Sequence, residues 1–289
     1  MRLQLVVNPS AGGGRATKLL PTVRSALSGQ DLKVTPTSSL EHADELTAEA
    51  VADDRVVVAM GGDGIVGRVA GAVAQTGGVM GVIPGGRGND FCRATGVPLD
   101  IPQACALLST GTAQPVDLGY ANGHAFIGIA SIGFDSEVQE RVLTSKLPIG
   151  NLIYTYGSLL TIASWKHAQF TCTVDGEALA FRGWAVAVSN SGRYGGGMQL
   201  APDASLTDGL LDVVTTTDAS KLRFLRALPK VFTGKHIEEP AFSVRTASVV
   251  HLDADRPFRV FADGDPIASL PCEVTVKKAA VQVILPTTP

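Results

Sequence analysis

Val56-Val57-Val58-Ala59-Met60-Gly61-Gly62-Asp63-Gly64-Ile65-Val66-Gly67-Arg68-Val69-Ala70 is the stretch that decides the fold. A short apolar, β-branched run passes straight into a glycine loop and then into a Gly/Ala-rich segment, Ile65–Ala74, that reads as a helix. A strand with no polar alternation is covered on both faces, as in a parallel sheet flanked by helices. Working outward, Leu3–Val7, Leu32–Thr35 and Val79–Ile83 read as further strands. Arg15–Leu27 and Glu41–Ala52 read as helices between them. Alternation of this kind predicts an α/β layer with a parallel sheet.

After about Asp117 the pattern changes. Ala125–Ile132, Phe170–Val174, Ala185–Ser189, Leu210–Thr215, Val249–Leu252, Arg259–Ala262, Glu273–Val276 and Val281–Leu285 are short strand candidates separated by turn signals. They predict an antiparallel β-sandwich, interrupted by helices near Asp135–Thr144, Ile153–Ser164 and Ser220–Phe232. The expectation is two units, 1–118 and 119–289, with no long linker between them and the extreme C-terminus packing back on the first.

Composition narrows the function. The chain has 289 residues, 45% of them apolar and 18% charged, with a net charge of −3. That is globular, and it lacks the global positive field of a nucleic-acid coat. Cys92, Cys105, Cys172 and Cys272 have no metal-ligand spacing and read as buried small hydrophobes in a reducing compartment. The five histidines show no ligand spacing either. Leu147–Trp165 is free of charge, but its Pro148, Gly150, Asn151 and Gly157 make it a poor membrane span. Leu3–Val7 is broken by Gln4 and is no signal peptide. The expected location is the cytoplasm.

Gly61-Gly62-Asp63-Gly64 stands where a strand opens into a helix, so its bare amides form a phosphate site. Asp63 would repel phosphate unless a cation stood between them, which points to a nucleotide with Mg²⁺. Gly62, Gly64 and Gly67 match the dinucleotide fingerprint only in letters, because the next strand ends in Pro84-Gly85-Gly86 with no acid. Gly12–Lys18 is no Walker loop, since Thr17 precedes the lysine. Asn8-Pro9-Ser10 and Pro84–Phe91 follow strands as the Gly61 loop does, so the three should share one edge of the sheet. Asp90 either joins Asp63 near a metal or caps the helix starting at Phe91.

Six segments in order resemble the diacylglycerol kinase catalytic-domain family of lipid kinases: VVNPSAGGGRA, GGDG, PGGRGNDFCRATGVP, PVDLGYANGHAFIGIASIGFDSEV, NSGRYGGGMQLAPDASLTDGLLDVV and FADGDP. The resemblance implies transfer of the ATP γ-phosphate to a lipid hydroxyl in a cleft between the two units, with diacylglycerol giving phosphatidic acid. It implies Asp263 as general base. Asp63, Asp90 and Asp117 would organise Mg²⁺, and Ser205, Asp208 and Leu210 a second Mg²⁺. Asn8, Thr37, Gly61, Gly62, Asp63, Gly64, Arg87 and Asn89 would contact the nucleotide. The partners implied are ATP and a lipid alcohol at a membrane surface, on its inner face, with no nucleic acid; a homodimer is left open. Arg223, Arg226 and Lys230, with Lys221 and Lys235 nearby, would form a basic helix face suited to anionic headgroups.

The departures are Ile65 for Thr, Gly67 and Arg68 for Asn and Glu, Arg87 for Thr, and Asp265 for Glu. They bear on nucleotide contacts rather than on the fold. A soluble-substrate kinase of the NAD-kinase kind and a non-catalytic binder on the same fold are the alternatives, and the Asp208 and Asp263 segments favour the lipid branch.

Overall fold

The structure is a computed structural model describing residues 1–145 and 152–287. The chain opens with β1 (Arg2–Val7), α1 (Ala11–Ala26), β2 (Asp31–Pro36), α2 (Leu40–Ala52), β3 (Val56–Gly61), α3 (Asp63–Thr76), β4 (Val79–Pro84), α4 (Asp90–Thr95) and α5 (Ile101–Thr110). Strands β2, β1, β3 and β4 pair in parallel in that order. Their apolar runs are buried from both sides: Leu3, Leu5 and Met60 pack with Val23 and Leu108, and Val6, Val57 and Ala59 pack with Leu46 and Val69. In α1, Gly12, Gly13 and Gly14 have positive φ (62°, 70° and 87°), so regular helix begins at Arg15, as its sequence predicts.

The second half comprises β5 (Thr112–Ala121), β6 (His124–Phe126), β7 (Ile129–Gly133), α6 (Phe134–Thr144), α7 (Leu152–Ser164), β8 (Ala168–Val174), β9 (Glu177–Ser189), β10 (Arg193–Tyr194), β11 (Met198–Gln199) and β12 (Leu211–Thr217). It continues through α8 (Lys221–Ala227), β13 (Phe242–Ala247), β14 (Val249–Ala254), β15 (Arg259–Ala262), β16 (Asp265–Ser269) and β17 (Cys272–Leu285). Its pairing is antiparallel and sandwich-like, running β16–β15–β7–β9–β8–β14–β17, with β12 also on β9 and β13 on β12. Strand β17 then joins the parallel sheet, Gln282 opposite Val79 and Val283 opposite Met80. It also pairs with β5 along the whole of Thr112–Ala121. The expected cut at residue 118 therefore falls inside a strand.

Several elements differ from the sequence reading. Ala125–Ile132 is not one strand but β6 and β7, parted at Ile127–Gly128. Glu273–Val276 and Val281–Leu285 are one strand, with its register shifting between Lys277 and Val281 and Ala279 at φ 51°. Helix α5 and strands β5 and β13 are additional. Ser220–Phe232 is not a single helix: α8 gives way at Leu228 to a 3-10 turn, Leu228–Thr233, because Pro229 has no amide hydrogen to continue the helix. Arg223 and Arg226 thus share α8, whereas Lys230 lies on the turn. The four cysteines are buried, and burial pushes the Cys92 and Cys172 thiols up to about 12. Residues 147–151 of the charge-free stretch lie outside the described residues. Among those described, no helix is long and apolar enough to cross a membrane.

The core of the second half centres on Trp184. It stacks on Phe224 with centroids 3.9 Å apart, meets Phe134 edge-on at 5.6 Å, and donates from Nε1 to the Ala219 carbonyl. Trp184→Ala should cost about 3–5 kcal/mol through the cavity and the lost ring contacts. Denaturant unfolding monitored by circular dichroism would show this as a lower midpoint.

Candidate active site

Backbone hydrogen bonds draw three loops together at the carboxyl edge of the parallel sheet. The Asn8 amide donates to the Met60 carbonyl, and the Gly85 amide to the Gly61 carbonyl. A Cβ on Gly86 would lie 2.3 Å from the Gly62 Cα, and one on Gly12 2.8 Å from the Gly85 oxygen. Only glycine permits this approach, which leaves a cradle walled by backbone. Asn8 Oδ1 accepts from the Ser10 amide and hydroxyl, fixing the first loop. Thr37 stands at the end of β2 with its amide on the Val7 carbonyl. Asn89, at φ 51°, clasps the third loop through both the amide and the carbonyl of Gly86. Arg87 is exposed and extends its Nη2 over Gly13.

Asp63 opens α3 and accepts the Phe91 amide at 2.9 Å. Burial pushes its pKa up, against the pull of that and neighbouring amides. Asp90 does not cap the helix of Phe91: it is the first residue of α4, and its carboxylate crosses to the other half of the molecule. There it accepts from the Gly196 and Gly197 amides at 2.9 and 2.7 Å. Burial first, then the charge of Asp63, raises its pKa. The two acids flank Gly88, whose Cβ would meet both.

Asp263, in an Asp-Gly turn at φ 54°, accepts the Ile127 amide at 2.8 Å and the Gly128 amide at 2.9 Å. These amides are free because the strand breaks there. Burial pushes Asp263 up to about 7, the amides oppose the shift and Asp63 adds to it. Its carboxylate also faces α3 at Gly67, where a Cβ would lie 2.5 Å from Oδ2. One turn back, Gly64 gives the same room to Asp265, which burial raises as well.

Asp117 lies elsewhere. Fully buried, it accepts the Gly209 amide at 2.7 Å and the Ala279 amide at 2.6 Å, tying the 205–210 loop to the register shift of β17. In that loop Ser205 bonds Thr207, and the Asp208 carboxylate accepts the Leu210 amide. The Lys278 ammonium donates to the Asp208 carbonyl. Among the described residues no group of three or more His, Cys, Asp or Glu side chains is placed to hold a metal, so Asp63, Asp90 and Asp117 do not form one ligand shell.

Two residues escaped the sequence reading. Asp135, in the first turn of α6, is pushed by burial up to about 6, and the nearby Tyr194 hydroxyl opposes that shift. Tyr194 is itself driven well above the ordinary phenol range by burial and by Asp135, and it feels Asp90. The signal was present: Gly133-Phe134-Asp135 follows a strand and opens a helix, as Gly62-Asp63 does.

A glycine cradle, the Asp63–Asp90 pair beside it and Asp263 lying against α3 thus share one region of the molecule. Residues 2–121 match the diacylglycerol kinase catalytic domain, and residues 128–285 match the YegS C-terminal NAD kinase beta sandwich-like domain. The chain belongs to the diacylglycerol kinase catalytic-domain family, and membership implies ATP as co-substrate. It is 32% identical to a diacylglycerol kinase of Mycobacterium tuberculosis, over 99% of this chain and 95% of that protein. It is 28% identical to a diacylglycerol kinase of Bacillus subtilis, over 99% and 96%. It is also 32% identical to a protein of Pseudomonas aeruginosa described as "Probable lipid kinase YegS-like", over 89% and 86%. The crystal structure of a diacylglycerol kinase from Bacillus anthracis str. Sterne superposes with a TM-score of 0.77 at 26% identity, covering 98% of this chain and 96% of that one.

Gly67→Ala should move the Asp263 carboxylate, since an alanine Cβ needs the space Oδ2 occupies. If turnover depends on that carboxylate it should fall by up to about 10²-fold, while α3 itself gains helix propensity. Steady-state kinetics and a melting curve on the one variant would separate the two effects.

Proposed function

We propose that this protein transfers the γ-phosphate of ATP to the free hydroxyl of diacylglycerol, giving phosphatidic acid, with Asp263 as general base. The observation that carries the proposal is the seat of Asp263. A carboxylate is held by two backbone amides, raised to about 7, across α3 from the glycine loop. A base with a pKa near the working pH is both ionised and able to take a proton. The names of the M. tuberculosis and B. subtilis relatives support diacylglycerol as the acceptor.

In this reading Asn8, Thr37, Gly61, Gly62 and Gly64 line the phosphate path, and Asn89 holds the loop that carries Arg87 to it. Mg²⁺ fits Asp63 and Asp90: two neighbouring carboxylates, both raised by burial and Asp90 further by the charge of Asp63, are hard oxygen donors short of a counter-cation. When bound with ATP it would neutralise charge on the phosphates. Asp117 positions the 205–210 loop. Because Lys278 already meets the Asp208 carbonyl, we leave Ser205, Asp208 and Leu210 out of the proposed metal set. Asp263 takes the hydroxyl proton as the acceptor oxygen bonds to the γ-phosphorus, and the bond from that phosphorus to ADP breaks.

The proposal predicts a pH dependence. A carboxyl raised to about 7 is protonated and inactive below that value, so kcat/KM should rise with pH, about tenfold per unit, and level off above about 7. Asp263→Asn should abolish this limb and cut turnover by about 10²–10⁴-fold, with ATP affinity kept. Radiolabelled ATP offered diacylglycerol, other hydroxyl lipids and NAD would test the acceptor; label on NAD alone would overturn the assignment.

A further inference from the structure

The helical pair α6–α7 carries an apolar outer face that no described residue covers. Leu152 is 67% exposed, Leu159 54% and Leu143 53%, and Tyr154, Tyr156 and Leu160 are exposed beside them. Helix α7 contains no charged residue. Leu152, Tyr156, Leu159 and Ala163 fall on one outward stripe at helical spacing, while Ile153, Gly157 and Thr161 turn inward, with Gly157 against Val138 and Val142 of α6. An uncharged helix that turns leucines and tyrosines outward suits a hydrophobic medium, and no described residue covers that side.

Cations gather at the opposite end of α7. Arg141 donates to the Ser164 hydroxyl, Lys221 to the Ala163 carbonyl and Arg256 to the Lys166 carbonyl. The Lys221 contact brings α8 alongside and makes the surface continuous. There Leu222, Leu225 and Phe232 are exposed among Arg223, Arg226, Lys230 and Lys235. Two of the nearby acids are occupied, Glu140 by Arg259 and Glu239 by Lys230, and Asp218 lies beside the His167 ring. Among the described residues Glu137 and Glu238 have no ion pair, and neither have five cations, Arg141, Lys221, Arg226, Lys235 and Arg256. The balance is cationic. Leucines and tyrosines on an uncharged helix, with a collar of Lys and Arg, match the boundary between acyl chains and anionic headgroups. The other end of α6 reaches the cleft, where Asp135 meets Tyr194. Eleven helical residues, about 16 Å, link the two.

We propose that the outer face of α6–α7, with α8 as its cationic flank, is the surface by which this protein seats on an anionic phospholipid bilayer. The proposal rests on the lipid-kinase reading only for the direction from which the acceptor arrives. The test uses the whole chain without ATP, in flotation with vesicles of phosphatidylcholine and phosphatidylglycerol. The variants are the triple Leu152→Gln, Tyr156→Ser, Leu159→Gln and the double Arg226→Glu, Lys235→Glu. The triple variant should partition about tenfold less or worse, and the double variant should lose the salt-sensitive part of binding. Phosphorylation of vesicle-borne diacylglycerol should fall in step, whereas a short-chain acceptor dissolved as monomer should be phosphorylated at the wild-type rate. Should the triple variant fail to fold, Leu152→Gln alone and the charge variant carry the test.

Unchanged partitioning would overturn the proposal. So would a wild-type dimer that the triple variant dissociates without change in vesicle binding, for the face would then join two copies. Vesicle binding that the variants lose, in a protein that phosphorylates no lipid, would uphold the docking surface and defeat the acceptor assignment instead.

Discussion

The Asp263 carboxylate rests between helix α3 and the amides of Ile127 and Gly128, and glycine makes both sides of that contact possible. A Cβ at Gly67 would lie 2.5 Å from one carboxylate oxygen, and a Cβ at Gly128 2.4 Å from the other. Gly64 and Gly71 extend the same bare stripe along α3, toward Asp265 and Ala125. The β15–β16 turn can therefore lie directly on the helix that begins with Asp63. A side chain at Gly67 or Gly64 would need the space that the Asp263 or Asp265 carboxylate takes in this chain. Helix α3 gives up some intrinsic stability for this approach, since each interior glycine costs about 1 kcal/mol relative to alanine. Burial of its other face by Val66, Val69 and Val73 offsets that cost.

Bringing the halves together also buries like charges. Asp63 raises both Asp90 and Asp263, and burial raises all three. Backbone amides keep this tolerable: Phe91 for Asp63, Gly196 and Gly197 for Asp90, Ile127 and Gly128 for Asp263. Each amide favours the ionised form without supplying a full positive charge. The result is a cleft of strained acids that a divalent cation and a proton would both relieve. Asp90 does a second task, because its amide donors belong to the far half of the chain and so fasten the 195–197 loop over the first.

The parallel sheet was legible because its strands are uninterrupted apolar runs between helices with clear periodicity. The acids of the cleft were legible because glycines frame them, but what they touch was not. Nothing local in Asp117 says that its partners are Gly209 and Ala279, 92 and 162 residues away. The break at Ile127–Gly128 was hidden by its own composition, Phe126-Ile127-Gly128-Ile129 reading as continuous strand. Tertiary demand for two free amides overrides that propensity. The continuity of β17 was hidden likewise, because joining two expected strands across Lys277–Ala280 takes a register shift that only the partner β5 reveals. Pro229 was visible and should have ended the helix of α8 in the reading as it does in the molecule.

The family departures on α3 acquire a common physical sense. Ile65 packs behind the loop, its Cγ2 where a Cβ of Gly61 would be. Gly67 clears the seat of Asp263. Arg68 forms a two-pronged ion pair with Asp44 of α2, binding the two helices. None of the three side chains needs to reach a phosphate for the cradle to work, because the groups that wall it are backbone at Gly12, Gly61, Gly62, Gly85 and Gly86. A site made of amides and glycine approaches tolerates side-chain replacement around it so long as the backbone path is kept. Arg87 is the exception: its guanidinium stands over Gly13 at the open side of the cradle, where it adds a permanent cation and a planar donor fork. Of all the departures, it is the one whose chemistry would bear on the nucleotide directly.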